Sequence, residues 1–485
     1  MALGITILLV VLTIAGSVLY GSRNRGLGGV TEWAVGGRRM GTLIFWFLNA
    51  GEIYTTFAVL GISGYAWAYG APAYLAFLSV SLTAAVGYWL TPHIWQAGKK
   101  GGFITQADFF AHHYQARWLG VIVGLAGIAA LIVYVQIQIT ALALVLRLSV
   151  DADISNAASA IAAAALMLLF VMSAGLRSAA FAAAVKDILM VVIVVALCVT
   201  VASHVGASSI GDIFTRVQDA YPGIGSLPGR DADSGLSTVW MMTAGINVAL
   251  GTYVFPHMFQ LTYSASDTWA VRRNAVFQPL YSLSYFFIIL LGFGALLAGT
   301  MPPGGDPNAV LLSFVADRYP AWAIGLFAGT ACLLALVPGS VLLLTAGSIF
   351  ARNVVRPVVP DLSDRSELLI SRASMVGCAA VAVYLTIGAN QSLVDIGLSA
   401  YASIGMLAPG VFLAFLWRKT NAFAVLGGIA TGYAVLLLPA ASAVLVWFPE
   451  WEKGLVAMAG NAVVVLVLSP LFNALQRKSN VQAPA

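Results

Sequence analysis

Thirteen stretches of mostly apolar residues, each long enough to cross a bilayer, constrain this chain more than any other feature. A spanning helix needs about 20 such residues, and the stretches run 2–21, 42–69, 72–97, 118–148, 153–174, 178–204, 236–263, 274–300, 320–351, 367–389, 392–417, 420–447 and 454–474. Composition agrees, since 60% of the 485 residues are hydrophobic and only 9% are charged, with a mean hydropathy of +0.91. Soluble domains carry about 25% charged residues. The chain reads as an all-α integral membrane protein. It has no basic or acidic tail, which argues against a nucleic-acid partner. Cys198, Cys332 and Cys378 sit in apolar runs without CxxC spacing, so they predict core packing and neither disulfides nor a zinc site.

Charge placement predicts the topology. Eighteen of the 24 Lys and Arg, among them Arg23, Arg25, Arg38, Arg39, Arg352 and Arg356, fall on one side of alternating spans. Five fall on the other side, namely Arg147, Arg216, Arg230, Arg318 and Lys453, and Lys186 lies within a span. The positive-inside rule then puts the N-terminus out and the C-terminus in, in a plasma membrane of the bacterial inner-membrane type. The first stretch is no secretory signal, because its basic residues follow the apolar run. The outer loop 205–235, with Asp212, Asp219, Asp231 and Asp233, reads as a solvated cap. Segment 101–116 reads as an amphipathic helix lying on the membrane surface. No soluble catalytic or kinase domain is expected after the last span.

Two spans carry matched interruptions. Span two contains Asn49-Ala50-Gly51-Glu52-Ile53-Tyr54-Thr55-Thr56, and span seven contains Gly251-Thr252-Tyr253-Val254-Phe255-Pro256-His257. They are five helices apart, and an odd offset inverts direction across the membrane. Spans two to six and seven to eleven therefore predict two inverted five-helix repeats with broken helices at a central site. The division is an extra N-terminal helix and loop at 1–41, a first repeat at 42–204, the loop at 205–235, a second repeat at 236–417, and two C-terminal helices at 418–485. Glycines that merely ease helix packing are the alternative.

At these residues the sequence resembles the sodium:solute symporter family, whose fold is of the LeuT type with one helix before the repeats. Gly175-Leu176-Arg177, Val185-Lys186-Asp187, Phe255-Pro256-His257, Ala335-Leu336-Val337-Pro338 and Phe350-Ala351-Arg352-Asn353 resemble its monocarboxylate permease branch. The branch implies uptake of a short carboxylate such as lactate, pyruvate, acetate or propionate. The family implies a sodium site between span two and span nine, built from backbone carbonyls near Gly51 and Tyr54 and two adjacent hydroxyl residues. Those hydroxyl positions fall on Val337 and Pro338, which offer no side-chain oxygen, and a hard cation needs about six oxygen ligands. The site therefore reads as degraded.

Lys186 and Glu52 lie about 14 and 20 Å from the nearest span-end arginines, at about 1.5 Å per residue, which is near mid-membrane. Ionisable groups there are usually paired and functional. In sodium-independent relatives a basic side chain from the fifth core helix can stand where the ion would be, and Lys186 is placed to do so and to cycle a proton. The alternatives are snorkelling for Lys186 and a static helix-break cap for Glu52. Asp187 should point about 100° away from Lys186 around the helix. Glu52, Thr55 and Thr56 share a face if the helix persists there. The hydroxyls and the half-helix end would suit a carboxylate.

Tyr54, His257, Gln136 or Gln138, Tyr253 and Tyr401 complete the candidate substrate and gating residues, with core packing as the alternative for the tyrosines and a structural role for His257. No cofactor or metal is expected, with the proton as coupling ion and sodium the less favoured choice. The other histidines lack ligand-spaced partners, and no nucleophile–base pair suggests an enzyme. A sodium-coupled symporter of an amino acid or sugar, and a receptor or channel on the same fold, are the rival functions. The expected partners are a small carboxylate and the lipid bilayer, and the sequence leaves oligomeric state open.

Overall fold

A computed structural model describes residues 1–23, 29–149, 154–388 and 392–482, so Arg25 and the end of the tenth span at 389 lie outside the described residues. In chain order the helices are α1 (Ala2–Arg23), α2 (Val30–Val35), α3 (Thr42–Gly51), α4 (Ile62–Tyr69), α5 (Leu75–Gly101), α6 (Gln106–His113), α7 (Arg117–Ser149), α8 (Asn156–His204) and α9 (Ile210–Ala220). There follow α10 (Thr238–Thr252), α11 (Pro256–Ser264), α12 (Thr268–Phe277), α13 (Pro279–Leu297), α14 (Val310–Arg318), α15 (Ala321–Ile349), α16 (Asp364–Gly388), α17 (Leu393–Gly405), α18 (Ala408–Leu416), α19 (Ala422–Leu437), α20 (Pro439–Ser442) and α21 (Lys453–Gln482). No strand occurs among the described residues, only one parallel bridge between Met40 and Ala265 that ties the start of α3 to the end of α11. Among the described residues, eight helices are long and apolar enough to cross a membrane, or eleven if each of three bent pairs is one span. Two further apolar helices, Phe57–Tyr69 and Asn156–Met172, are shorter.

Helix ends follow side-chain chemistry. Ser155, Ser237, Asp267 and Ser392 each accept a backbone N–H from the first turn that they open, which satisfies donors left free at a helix start. Gly175, at φ 63° and ψ −175°, breaks α8 between its two apolar halves, a conformation that favours glycine.

At the centre stands α15. Every residue from Phe327 to Ile349 is buried, because α1, α7, α8 and α16 all pack around it. On α1 one face meets α15 through Thr6 and Gly325, whose O accepts the Thr6 hydroxyl at 3.0 Å. Its other face exposes Ile7, Leu8 and Leu12, each more than half accessible. An all-round apolar helix in the core and a one-sided exposed apolar helix at the rim are what a bilayer-embedded bundle requires.

Two surface expectations need correction. The 101–116 segment is no surface helix: α6 buries Gln106, Ala107, Phe109 and Phe110 and is opened by a Thr105–Asp108 capping box. Amphipathicity reports one apolar face, and here protein covers that face. The 205–235 loop is likewise more than a solvated cap. In α9, Ile213 and Val217 are buried, and the loop closes on the end of α4 through Ala71 N to Ile224 O at 2.8 Å and Arg230 N to Tyr69 O at 2.9 Å.

The segment 303–309 sits on the same end. A Cβ at Gly64 of α4 would lie 2.1 Å from Pro307 O, so only glycine lets this cap seat. Gly64→Val is expected to displace the 303–309 segment, at a cost of about 1–3 kcal/mol in stability. The thermal midpoint of the purified chain checks this, and an unchanged midpoint would refute the seating role.

Candidate functional site: the broken helices and their buried ion pair

The first break follows from Gly51. A Cβ there would lie 2.5 Å from Asp187 Oδ2 and 3.1 Å from Lys186 Nζ, so glycine lets α8 approach. α3 stops at Gly51, residues 52–55 form turn and bend, and helix resumes at Thr56. Lys186 Nζ enters the gap and donates to Gly51 O at 2.7 Å, Tyr54 O at 3.0 Å and Asp187 Oδ1 at 2.6 Å. An ammonium carries three protons, so its donors are fully used. The second Asp187 oxygen accepts from the Tyr281 hydroxyl at 3.2 Å. The Tyr54 ring stacks on Tyr281, with centroids 4.6 Å apart.

Both side chains of the pair are entirely buried, so Lys186 does not snorkel. The expectation that Asp187 points away from Lys186 is corrected here. Adjacent Cβ directions do diverge, but the long lysine stem brings its tip back to the carboxylate. Glu52 is 1% exposed, and neither carboxylate oxygen has a hydrogen-bond partner among the described residues, so it caps no helix. Because the helix does not persist through 52–55, Glu52, Thr55 and Thr56 do not form a face. Instead Thr55 Oγ1 accepts Phe57 N at 3.2 Å, and the Thr56 hydroxyl donates to Gln138 Oε1 at 3.2 Å. Gln136 is turned elsewhere, with its amide 3.5 Å from Leu385 O.

The second break spans Tyr253, Val254 and Phe255, where Pro256 starts α11 at 50° to α10. Proline is at home in a first turn because its missing N–H would be unpaired there. The freed Val254 O accepts the Gln106 side-chain amide from α6. Between the two broken helices lies a cavity of about 40 Å³. Ile53, Phe57 and Tyr65 wall it on one side and Val248 and Thr252 on the other, with Thr83, Tyr134, Tyr285 and Tyr401 between. The Thr83 and Thr252 hydroxyl oxygens are 3.3 Å apart. No Lys or Arg lines this cavity, so an anion in it would meet hydroxyls.

Of the predicted substrate residues, Tyr401 lines the cavity and Tyr54, Thr55, Thr56, Gln138, His257 and Tyr253 do not. Tyr253 packs over Gly87, where a Cβ would come within 2.4 Å of its ring, and its hydroxyl bonds Gln278 Oε1. That is a packing position. His257 is 2% exposed behind Tyr134 and Phe255, with ring centroids 5.7 and 5.4 Å away, and its Nδ1 has no partner among the described residues. Thr83, Tyr134, Thr252 and Tyr285 were not read from the sequence. Thr252 carried a usable signal as a hydroxyl at the second break, whereas the other three give none without the packing.

Val337 and Pro338 are buried in α15. Of the hydroxyls after them, Ser340 turns to Leu336 O at 2.6 Å and Ser348 to Leu344 O at 2.8 Å, while the buried Thr345 Oγ1 has no partner among the described residues. Among the described residues no group of three His, Cys, Asp or Glu could hold a metal ion.

One end of the molecule gathers charged groups. Asp108 accepts from Arg352 Nε at 2.8 Å, Asn353 Nδ2 at 2.8 Å, Ile104 N at 2.9 Å and Thr105 N at 3.2 Å. Glu367 takes Arg356 at 2.7 Å, Glu32 takes Arg177 at 2.7 Å, and Arg38 donates to Phe103 O at 2.6 Å. This end is closed by ionic contacts between α2, α6, α8, α16 and the π-helix Phe350–Val355.

Residues 33–432 match the sodium:solute symporter family. The symporter YhjB of Bacillus subtilis, itself uncharacterised, is 32% identical over 448 residues, covering 90% of this chain and 91% of that protein. A monocarboxylate transport permease protein of Rhizobium johnstonii is 26% identical, covering 92% and 91%. Among solved structures, a Na⁺-coupled sialic acid symporter in a substrate-bound outward-open state superposes with a TM-score of 0.79 at 13% identity, covering 97% and 98%. Mhp1, a nucleobase-cation-symport-1 family transporter in a closed conformation, gives 0.60 at 14%, covering 94% and 96%. The fold is that of these transporters. With a match over most of its length and broken helices around a buried central cavity, the chain belongs to the sodium:solute symporter family.

Proposed function

We propose that the protein is a secondary active transporter that takes up a short monocarboxylate by alternating access, coupled to protons rather than to sodium. The carrying observation is Lys186, whose ammonium rests on the Gly51 and Tyr54 carbonyls beside Asp187 while Val337 and Pro338 offer no hydroxyl. On this reading a fixed cation does the work of the ion. Protonated, it holds α3 and α8 together; deprotonated, it loses one donor and the Asp187 pairing, which loosens them. Glu52, buried and unpartnered, and His257 are the proposed proton relay. The likeness to the Rhizobium permease supports the substrate class, which binds through Thr83, Thr252 and Tyr401 at the cavity between the breaks. Tyr54 backs the cavity through its ring, 5.2 Å from that of the lining Tyr285.

The architecture that goes with this is a LeuT-type fold of thirteen spans, in which the shorter helices Phe57–Tyr69 and Asn156–Met172 complete the count. Two inverted five-helix repeats are related through the two breaks. The charged end faces the cytoplasm of a bacterial inner membrane, with the N-terminus outside.

Proteoliposome uptake of labelled C2–C5 acids, sugars and amino acids tests the proposal, with pH and sodium gradients imposed separately. An inward proton gradient is expected to drive accumulation of one acid with no sodium present. Strict sodium dependence without a pH response would restore a sodium-coupled symporter, and uptake of a sugar with none of any acid would reject the substrate class.

A further inference from the structure

We infer that the charged end carries a binding site for a phosphate-bearing anion, filled in the membrane by the head group of an anionic phospholipid. A cavity of about 450 Å³ lies where the end of α1, α2, the Gly175 break of α8 and the start of α16 meet. Its polar wall is Glu32, Trp33, Arg177, Asp364, Arg365 and Arg372. Three cations face two acids, and Glu32 is already engaged by Arg177 at 2.7 Å. Arg365 is exposed and makes no ion pair among the described residues.

Two donors in this wall are orphaned. Trp33 Nε1 and Arg372 Nε are both buried and have no hydrogen-bond partner among the described residues. A buried donor left unpaired costs about 1–3 kcal/mol, and two of them in one cavity beside a free arginine define the missing group. It must be anionic and must present several acceptor oxygens at once. A tetrahedral phosphate does so, accepting from a guanidinium edge and an indole N–H together. Trp33 is fixed for this role, since its ring lies against Gly175, where a Cβ would come within 3.0 Å of it.

The lipid source follows from the rest of the wall and from helix register. Val30, Met172, Leu176 and Leu368 supply its apolar part. On α16, Leu369 and Val376 are 68% and 46% exposed, and they stand three before and four after Arg372, which places them on one helical face with it. An acyl chain would follow that face with its head group at Arg372, as basic pockets between membrane helices hold anionic lipids. The head group would join α16 to α2, which leads into the first broken helix, and so would brace the charged end.

The test uses the purified full chain in nanodiscs of phosphatidylcholine with or without 20% phosphatidylglycerol, reading the thermal midpoint and lipids retained in native mass spectra. Phosphatidylglycerol is expected to raise the midpoint by about 3 °C or more and to leave one retained lipid. Arg365→Gln/Arg372→Gln should lose both effects. Leu368→Trp, which fills the cavity without touching a charge, should lose them as well. Arg272→Gln/Arg418→Gln, which removes the same charge from exposed positions off the cavity, should keep them. An equal midpoint in both lipids, or a full shift in the Arg365/Arg372 variant, overturns the site. The same shift from millimolar inorganic phosphate in phosphatidylcholine overturns the lipid source.

Discussion

Lys186→Ala is expected to abolish accumulation driven by a pH gradient, by at least about 100-fold, while exchange of labelled for unlabelled substrate persists. Removing one member of a buried ion pair costs about 3–5 kcal/mol, because Asp187 would be left charged with only the Tyr281 hydroxyl beside it. The Gly51 and Tyr54 carbonyls would lose their donor too. A loss of that size could act through folding alone, so the informative companion is Lys186→Met/Asp187→Asn. It removes both charges at nearly constant volume and should recover expression without recovering the pH response. Uptake into proteoliposomes with a defined pH jump, normalised to reconstituted protein, separates the outcomes. If Lys186→Ala still accumulates substrate against its gradient with an imposed pH difference, Lys186 is structural and the coupling group lies elsewhere.

Lys186 was legible in the sequence because a single charge in an otherwise apolar run has few ways to be stable. The breaks were legible for the same kind of reason: Gly51 and Pro256 cannot both continue a helix and satisfy their neighbours. What periodicity could not deliver was direction. Amphipathic α6 could have faced lipid or protein with one pattern, and only the Arg352 and Asn353 partners of Asp108 show which. Tyr253 and Tyr401 are both aromatic and close to the second break in space, yet one packs on Gly87 and the other lines the cavity. Thr83 and Tyr134 come from helices that run on unbroken, α5 even through Pro92, and hydroxyls are common in such helices. Their part in the cavity arises from the packing of α5 and α7 against the broken pair. Asp187 meets Lys186 despite diverging Cβ directions because the four-carbon lysine stem carries the ammonium back to the carboxylate.

Asp108→Ala is expected to open the charged end. The carboxylate takes four hydrogen bonds and joins α6 to the π-helix after α15. Arg352 then reaches Glu367 at 3.9 Å, so the same contact orients α16. From this fixed position α6 sends Gln106 to Val254 O and extends to Tyr114, whose hydroxyl donates to Gly410 O at 2.6 Å. Losing the carboxylate strands a partly buried guanidinium and the Asn353 amide, at a cost of about 3 kcal/mol. The freed α6 can then withdraw Gln106 from the second break. A cysteine introduced as Val254→Cys, with Cys198, Cys332 and Cys378 replaced by alanine, reports that withdrawal. Its modification by a membrane-impermeant thiol reagent should be at least about 10-fold faster in the Asp108→Ala background, since about 1.4 kcal/mol in the opening equilibrium is a factor of ten. Asp108→Asn keeps an acceptor for Ile104 N and Thr105 N but loses the charge facing Arg352 and sets its own NH2 against Asn353 Nδ2, so it should fall between the two. Equal labelling in all three backgrounds would mean that α6 is held by its buried Phe109 and Phe110 alone and that the ionic contacts at this end do not gate access.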